Sequence, residues 1–305
     1  MKKIFIVSII IGIAISAAKA QEVGFGIKAG LNYSKISGDW ENFSGPADSI
    51  GNFRDSVGSL INLFTVLYPA FANLVDNRDS TFTHSSENRI GGHGGIFFNI
   101  PISENFSVHP EIIFSMKGAS VEFNNTFNFS GDSTYYYIDP NGDTVPVARF
   151  DGKGDLKYDL KYDITLFYID VPILSKYKFN NGITIGAGPY VSFLASSREK
   201  YETTLTGNLL LTQTDLNDNT TQTVIDSTQT IFVEEIIKSN DNLKTFQAGF
   251  SANIGYEFPF GLGINAGYSG AFTELFDKKE DEGFKNSVFH FSLSYKIFNN
   301  LFKLE

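Results

Sequence analysis

Eight stretches of the chain alternate apolar residues with small or polar ones at every second position. This is the signature of β-strands whose two faces meet different surroundings. In "VGFGIKAGLNYS", Val23, Phe25, Ile27, Ala29, Leu31 and Tyr33 make one face, and Gly24, Gly26, Lys28, Gly30, Asn32 and Ser34 make the other. The eight segments fall at about 23–34, 89–100, 105–118, 166–179, 183–196, 246–258, 261–272 and 287–298. Each is about ten to fourteen residues long, enough for a tilted strand to cross a bilayer. Short turns follow the second, fourth and sixth segments. Long connections, Ser37–Asn88, Ala119–Leu160, Arg198–Lys244 and Leu275–Asn286, follow the others. A soluble sandwich rarely carries loops of this length at one end, whereas outer-membrane barrels combine short periplasmic turns with long external loops. The expected fold is all-β: an eight-stranded antiparallel transmembrane barrel with long external loops, one containing a short helix.

The first twenty residues, "MKKIFIVSIIIGIAISAAKA", read as a cleaved signal peptide, with Lys2 and Lys3 before an apolar run and Ala18-Lys19-Ala20 as the small-x-small cleavage site. The barrel domain is then 21–305. Export to the periplasm and insertion into the outer membrane follow as expectations. The chain has no cysteine, so no disulfide framework exists. It is rich in Phe (30), Tyr (14) and Gly (28), and its net charge is −10, which becomes −13 once Lys2, Lys3 and Lys19 are removed. Acids outnumber bases in all four long connections, so the negative charge lies outside the cell, and nucleic acid is excluded as a partner.

Several strings resemble the PorT-like family of small outer-membrane β-barrel proteins: "GIKAGLNYS", "GGHGGIFFNIPI", "HPEIIFSMKG", "FYIDVPILSKYKF" and "GAGPYVS", in that order from Val23 to Phe298. The resemblance implies the eight-stranded barrel and little about activity. One founding member is associated with protein secretion and surface delivery, a role that fold alone does not transfer.

The face turned away from lipid collects Lys28, His93, His109, Glu111, Lys117, Asp170, Lys176, Glu257, His290 and Lys296, joined by Asn32, Asn99, Gln247, Asn253 and Asn265. An eight-stranded barrel has room inside only for side chains, and charges there must pair. The expected outcome is a lumenal polar plug; the alternative is a narrow solute path. Asp170 has Lys28, Lys117 or Lys176 as candidate partners, and Pro172, two residues on, predicts a bulge or break in the ladder. In the first long connection, Leu60, Phe64, Leu67 and Phe71 recur at helical spacing and form a candidate docking face for a protein. "DPNGD" at Asp139–Asp143 reads as a hairpin turn rather than a Ca²⁺ loop, because it lacks glycine at the sixth place and glutamate at the twelfth. The connection at Arg198–Lys244 reads as a raised hairpin around "DLNDN". Six Asp-Ser/Thr strings in the long connections resemble an O-glycosylation signal, with Ser49, Ser56, Ser80, Ser133, Thr144 and Ser227 as acceptors.

No GxSxG or HExxH motif appears, and neither catalytic residue, metal nor cofactor is predicted. The chain reads as a non-enzymatic outer-membrane scaffold or surface-complex component, expected as a monomer. Its expected partners are outer-membrane lipid, lipopolysaccharide and a protein at the acidic external loops. A porin-like small-solute channel is the alternative, and an outer-membrane hydrolase or acyltransferase a third reading.

Overall fold

The computed structural model describes residues 23–40, 78–240, 242–277 and 283–298. The expected signal peptide and the candidate helix bearing Leu60, Phe64, Leu67 and Phe71 lie outside them. Nine strands are present among the described residues: β1 Gly24–Ser37, β2 Arg78–Pro101, β3 Phe106–Ile138, β4 Thr144–Lys178, β5 Ile183–Asp215, β6 Thr221–Ile237, β7 Phe246–Glu257, β8 Leu262–Ala271 and β9 Lys285–Phe298. All pairings are antiparallel. The order is β4-β3-β2-β1-β9-β8-β7-β5, and β4 pairs with β5, so eight strands close a ring; β6 hangs outside it on β5. Closure satisfies the backbone internally, as a bilayer demands.

Each of the eight expected segments overlaps one ring strand, with ends inside it or one residue beyond it, but β2 to β5 run far past them. The segment read as 166–179 is the lower part of a 35-residue strand. The second and third long connections are therefore strand for most of their length, and they continue the barrel wall into an external sheet in the order β2-β3-β4-β5-β6. The "DLNDN" hairpin is present, but its second arm is the separate strand β6, with a break before β7.

Turn chemistry sets the connections. In Phe179-Asn180-Asn181-Gly182, Phe258-Pro259-Phe260-Gly261 and Asp139-Pro140-Asn141-Gly142, the fourth residue's N–H donates to the first residue's carbonyl at 2.9–3.0 Å. The closing glycines have φ of 91°, 91° and 89°, which L-residues with a Cβ rarely adopt. The "DPNGD" string is thus a turn: Asp139 Oδ1 accepts from the N–H groups of Asn141 and Asp143 at 2.9 and 2.8 Å.

Side chains sort by face as the alternation predicts. On β1 the even-numbered Lys28, Asn32 and Ser34 are buried, while Ile27, Leu31 and Tyr33 are exposed to the outside. At Pro172 the ladder breaks without a bulge. Pairing with β3 skips from Ile173–Pro110 to Asp170–Ile113, and pairing with β5 skips from Pro172–Tyr190 to Ser175–Ala187, with register unchanged across both gaps. Pro110 and Pro189 flank these gaps on the neighbouring strands, so missing donors on three strands coincide.

A change in polarity along β4 marks where the membrane ends. From Asp170 to Lys178 the inward, even-numbered side chains include Asp170, Lys176 and Lys178, and the outward ones are Ile169, Val171, Ile173 and Tyr177. From Tyr158 to Tyr168 the same inward set is Tyr158, Leu160, Tyr162, Ile164, Leu166 and Tyr168, all buried, while Lys157, Asp159, Lys161 and Asp163 face out. The period stays at two and the phase is kept; only the solvent on each side has changed. Inside the membrane the outer face meets lipid. Above it the outer face meets water, and the inner face becomes a dry core. β3 inverts at the same height. His109, Glu111, Ser115 and Lys117 point inward below Gly118, and Ala119, Val121 and Phe123 above it.

Gly118 sits at that boundary, where the β2–β3 register shifts. Its φ is 155°, and a Cβ there would lie 2.0 Å from the Ile164 carbonyl oxygen. The Ser34 hydroxyl accepts from the Gly118 N–H and donates to its carbonyl, both at 2.9 Å, replacing the lost ladder bonds. We expect Gly118→Ala to lower stability by about 1–3 kcal/mol from strain at this φ, with midpoint shifts in urea titration as the readout; an unchanged midpoint would refute the steric account.

Candidate functional site

The lumen is filled in tiers. Nearest the short turns, Glu257 is held by three lysines: Lys178 and Lys296 each at 2.7 Å and Lys176 at 3.6 Å. β7, β4 and β9 supply these groups, and the register sets Glu257 opposite Gly263 and Gly263 opposite Ser294, two residues from Lys296. In the middle, Lys28 of β1 pairs with Glu111 of β3 at 2.9 Å, with His109 Nδ1 3.4 Å from the same carboxylate. Higher up, Lys117 pairs with Asp170 at 2.8 Å, and Ser192 donates to the same Asp170 oxygen. The Lys117 ammonium also lies 4.8 Å from the centre of the Tyr168 ring. The partner of Asp170 is therefore Lys117, not Lys28 or Lys176.

Between these ion pairs runs a chain the sequence did not reveal. His93 Nδ1 lies 2.8 Å from Asn32 Oδ1, and His93 Nε2 lies 2.9 Å from Ser292 Oγ. Three residues on β2, β1 and β9 thus have the spacing of a nucleophile, a base and an orienting group. His290 sits beside them, its ring centre 6.2 Å from that of His93, and contacts Ser269 at 3.4 Å. Ser292 has no signal in the sequence, because an inward serine in a strand carries no local motif. Room for His290 comes from Gly267, where a Cβ would lie 2.3 Å from the imidazole Cε1.

Space decides what this lumen can do. The cavity lined by Lys28, His93, Glu111, Lys117, Asp170 and His290 has a volume of about 50 Å³, room for only a few waters at about 10–15 Å³ each. Below it, a cavity of about 10 Å³ is lined by His109, Lys176 and Asn265. An acyl substrate does not fit either volume, since ligand pockets run to about 300–1,000 Å³.

Above the ion pairs the mouth is closed by an apolar plug. Ile36, Ile164, Leu166 and Leu275 are fully buried, and Trp40, Phe276 and Phe284 nearly so. Trp40 meets Phe284 edge-on at 4.7 Å between centres and Tyr162 at 6.4 Å. The plug draws on β1, β3, β4 and β5 and on the segments before β7 and between β8 and β9, so it spans the ring. At its outer side Tyr162 and Tyr201 stack at 4.9 Å and both donate to Glu199 Oε2. Burial, reinforced by that carboxylate, pushes both phenols up, so they stay protonated donors.

The family model described as outer membrane protein beta-barrel domain matches residues 19–277. The chain belongs to the outer membrane protein β-barrel domain family. Its place is the outer membrane, and the outward girdle of this family member is apolar and aromatic, as with Tyr177 beside Phe179 at 4.9 Å and Tyr268 beside Phe289 at 4.9 Å. No relative was found among curated proteins. Among solved structures the barrel is similar to Ail, the attachment invasion locus protein of Yersinia pestis, in complex with the heparin analogue sucrose octasulfate. That match has 7% identity and TM-score 0.29 and covers 90% of this chain and 99% of that one. It is also similar to the translocator domain of the autotransporter NalP from Neisseria meningitidis (8%, TM-score 0.23, 96% and 97%). A third is the outer membrane channel DcaP of Acinetobacter baumannii (10%, TM-score 0.21, 90% and 96%).

Of the other sequence candidates, Ser80, Ser133 and Ser227 lie on β2, β3 and β6, and Thr144 is exposed at the start of β4. Ser49 and Ser56 fall outside the described residues. His84 is exposed on β2, nine residues before His93 and on the external extension of the strand, so it does not join the lumenal histidines.

Proposed function

We propose that this barrel is a non-enzymatic outer-membrane scaffold that binds a protein partner on its external sheet, with lipid and lipopolysaccharide around its girdle. The observation that carries the reading is the apolar plug. A dry cluster with Ile36, Leu166, Leu275 and Phe284 at 0–1% exposure stands across the outer end of a lumen already filled with ion pairs. That arrangement argues against the porin-like alternative. What remains available to partners is the acidic external sheet, with Tyr135, Tyr136, Tyr137 and Ile138 more than half exposed at the end of β3.

Planar-bilayer recordings of the pure protein are expected to show no steady openings. Photo-crosslinking from Tyr136 in native membranes is expected to yield adducts with another protein. Steady conductance, or no adduct from any external position, would overturn the reading. The hydrolase reading keeps one specific support, the Ser292–His93–Asn32 chain. Fluorophosphonate treatment is expected to leave Ser292 unlabelled, because the cavity beside it admits only water-sized molecules; a covalent adduct at Ser292 would bring an enzyme back.

A further inference from the structure

The external sheet ends on β6, and β6 is built unlike a guarded edge. Among the described residues it pairs only with β5, along Thr221–Ile237. Every second residue therefore turns its N–H and C=O to the open side. Natural edges of this length are blunted by charged side chains, lysine above all, by proline, by bulges or by a covering segment; β6 carries no charge from Ser227 to Val233, and its one register shift lies above Ile225. "TQTVIDSTQTIFVEEII" contains neither lysine nor proline. Its lower part is rich in β-branched and aromatic residues, and Ile231, Phe232, Val233 and Ile236 are 42–60% exposed, so both faces are apolar and uncovered. The register with β5 is continuous from Ile237 up to Ile225, with the one shift above that. The opposite edge of the sheet differs: β2 there reads "RDSTFTHSSEN", polar or charged at every position but Phe82.

We infer that β6 is a docking strand, and that its occupant is an extended, lysine- or arginine-bearing segment of a protein partner, added antiparallel as a sixth strand of the external sheet. The inference rests on the partner-binding reading above and names its site. Charge selects the occupant. Asp226, Glu234 and Glu235 lie on the strand, the connection Arg198–Lys244 carries eight acids against four bases, and among the described residues Glu234 pairs only with Lys200, at 3.5 Å, which it shares with Glu202. A second copy is a poor occupant. Two barrels upright in one membrane present β6 running the same way, which denies them the antiparallel pairing used throughout this sheet, and they bring like charges together.

The test uses the full mature chain in lipid nanodiscs. Its probes are a fluorescent peptide of about twelve residues alternating Lys with Val, and the same peptide with Glu for Lys. The Lys peptide is expected to bind at least about tenfold more tightly than the Glu peptide, and to slow hydrogen exchange at alternate amides between Gln229 and Ile237. Phe232→Pro and Val233→Pro form a matched pair, because neighbouring residues point their N–H groups to opposite edges. One variant will leave β5 amides protected and cut peptide affinity about tenfold or more by removing an open-edge donor. The other will loosen the β5 ladder. Heat-modifiable gel migration checks that both barrels fold.

Equal binding of the Glu peptide, protection away from β6, or β6 amides already protected without peptide would each overturn the inference. The last would mean that another part of this chain or a second copy holds the edge. In native membranes, adducts from Tyr136 that persist unchanged in the open-edge proline variant would sink the β6 assignment and leave the scaffold reading standing. Absence of adducts from every external position would sink the scaffold reading itself.

Discussion

Replacing Glu111 with alanine is expected to destabilise the folded barrel by about 3–5 kcal/mol, the usual cost of stranding one member of a buried ion pair. Glu111 is 3% exposed and accepts two bonds from Lys28, at 2.9 and 3.1 Å, with His109 against the same carboxylate. Its removal leaves the Lys28 ammonium, itself 8% exposed, inside a lumen where Lys117, Lys176, Lys178 and Lys296 already face only two acids, Asp170 and Glu257. The compensating change separates pairing from packing. Lys28→Met with Glu111→Leu removes both charges at similar volume, and by the same logic should return stability to within about 1 kcal/mol of the parent. Reversible urea unfolding from vesicles measures both, with Trp40, the sole tryptophan, as the fluorescent reporter. A Glu111→Ala variant within about 1 kcal/mol of the parent would mean that water reaches Lys28 and that the lumen is wetter than its geometry indicates.

How far such pairs were legible follows from how they are built. The faces were readable because each strand alternates locally: Lys28, Glu111, Asp170 and Lys296 were placed inward from spacing alone. Which charge meets which was not readable, because it depends on strand register around a ring. Lys28 reaches Glu111 only because β1 sets Lys28 opposite Gly95 on β2, and β2 sets Gly95 opposite Ile113 on β3. The Ser292–His93–Asn32 chain needs β9, β2 and β1 together, so no stretch of sequence holds it.

The hairpins around Asp139 and "DLNDN" were legible, but their joining with β2 into one external sheet, and the plug beneath it, were not, for a different reason. "YDLKYDITLFYIDVPI" keeps period two throughout, and its inversion of polarity at Leu166–Phe167 is present in the letters. A search for apolar faces finds the lower half, where apolar means lipid. It passes over the upper half, where the apolar residues turn inward and the charged ones outward. Reading the sign of the alternation together with its period would have extended β3, β4 and β5 and exposed Tyr158 to Leu166 as a core. Trp40, Leu275 and Phe284 lie in connections without periodicity, and only their packing against that core reveals them.

The plug gives the second large expectation. Trp40→Ala and Phe284→Ala should each cost about 3–5 kcal/mol, as expected for large aromatics removed from a packed core. Because the two rings touch at 4.7 Å, the double variant should cost less than the two singles together. Circular dichroism in urea replaces the tryptophan signal once Trp40 is gone. The electrical result is the sharper one. The double variant should remain silent in planar bilayers despite a cavity at its mouth, because Lys117–Asp170, Lys28–Glu111 and the Glu257 cluster still fill the lumen in series below it. The two barriers differ in kind, one by exclusion of water from apolar surface and the other by side chains locked to one another across the ring. Removing the first therefore does not dissolve the second. Steady openings in the double variant would show that the aromatic plug alone separates the two sides, and the protein would then be a gated channel whose outer sheet holds the gate.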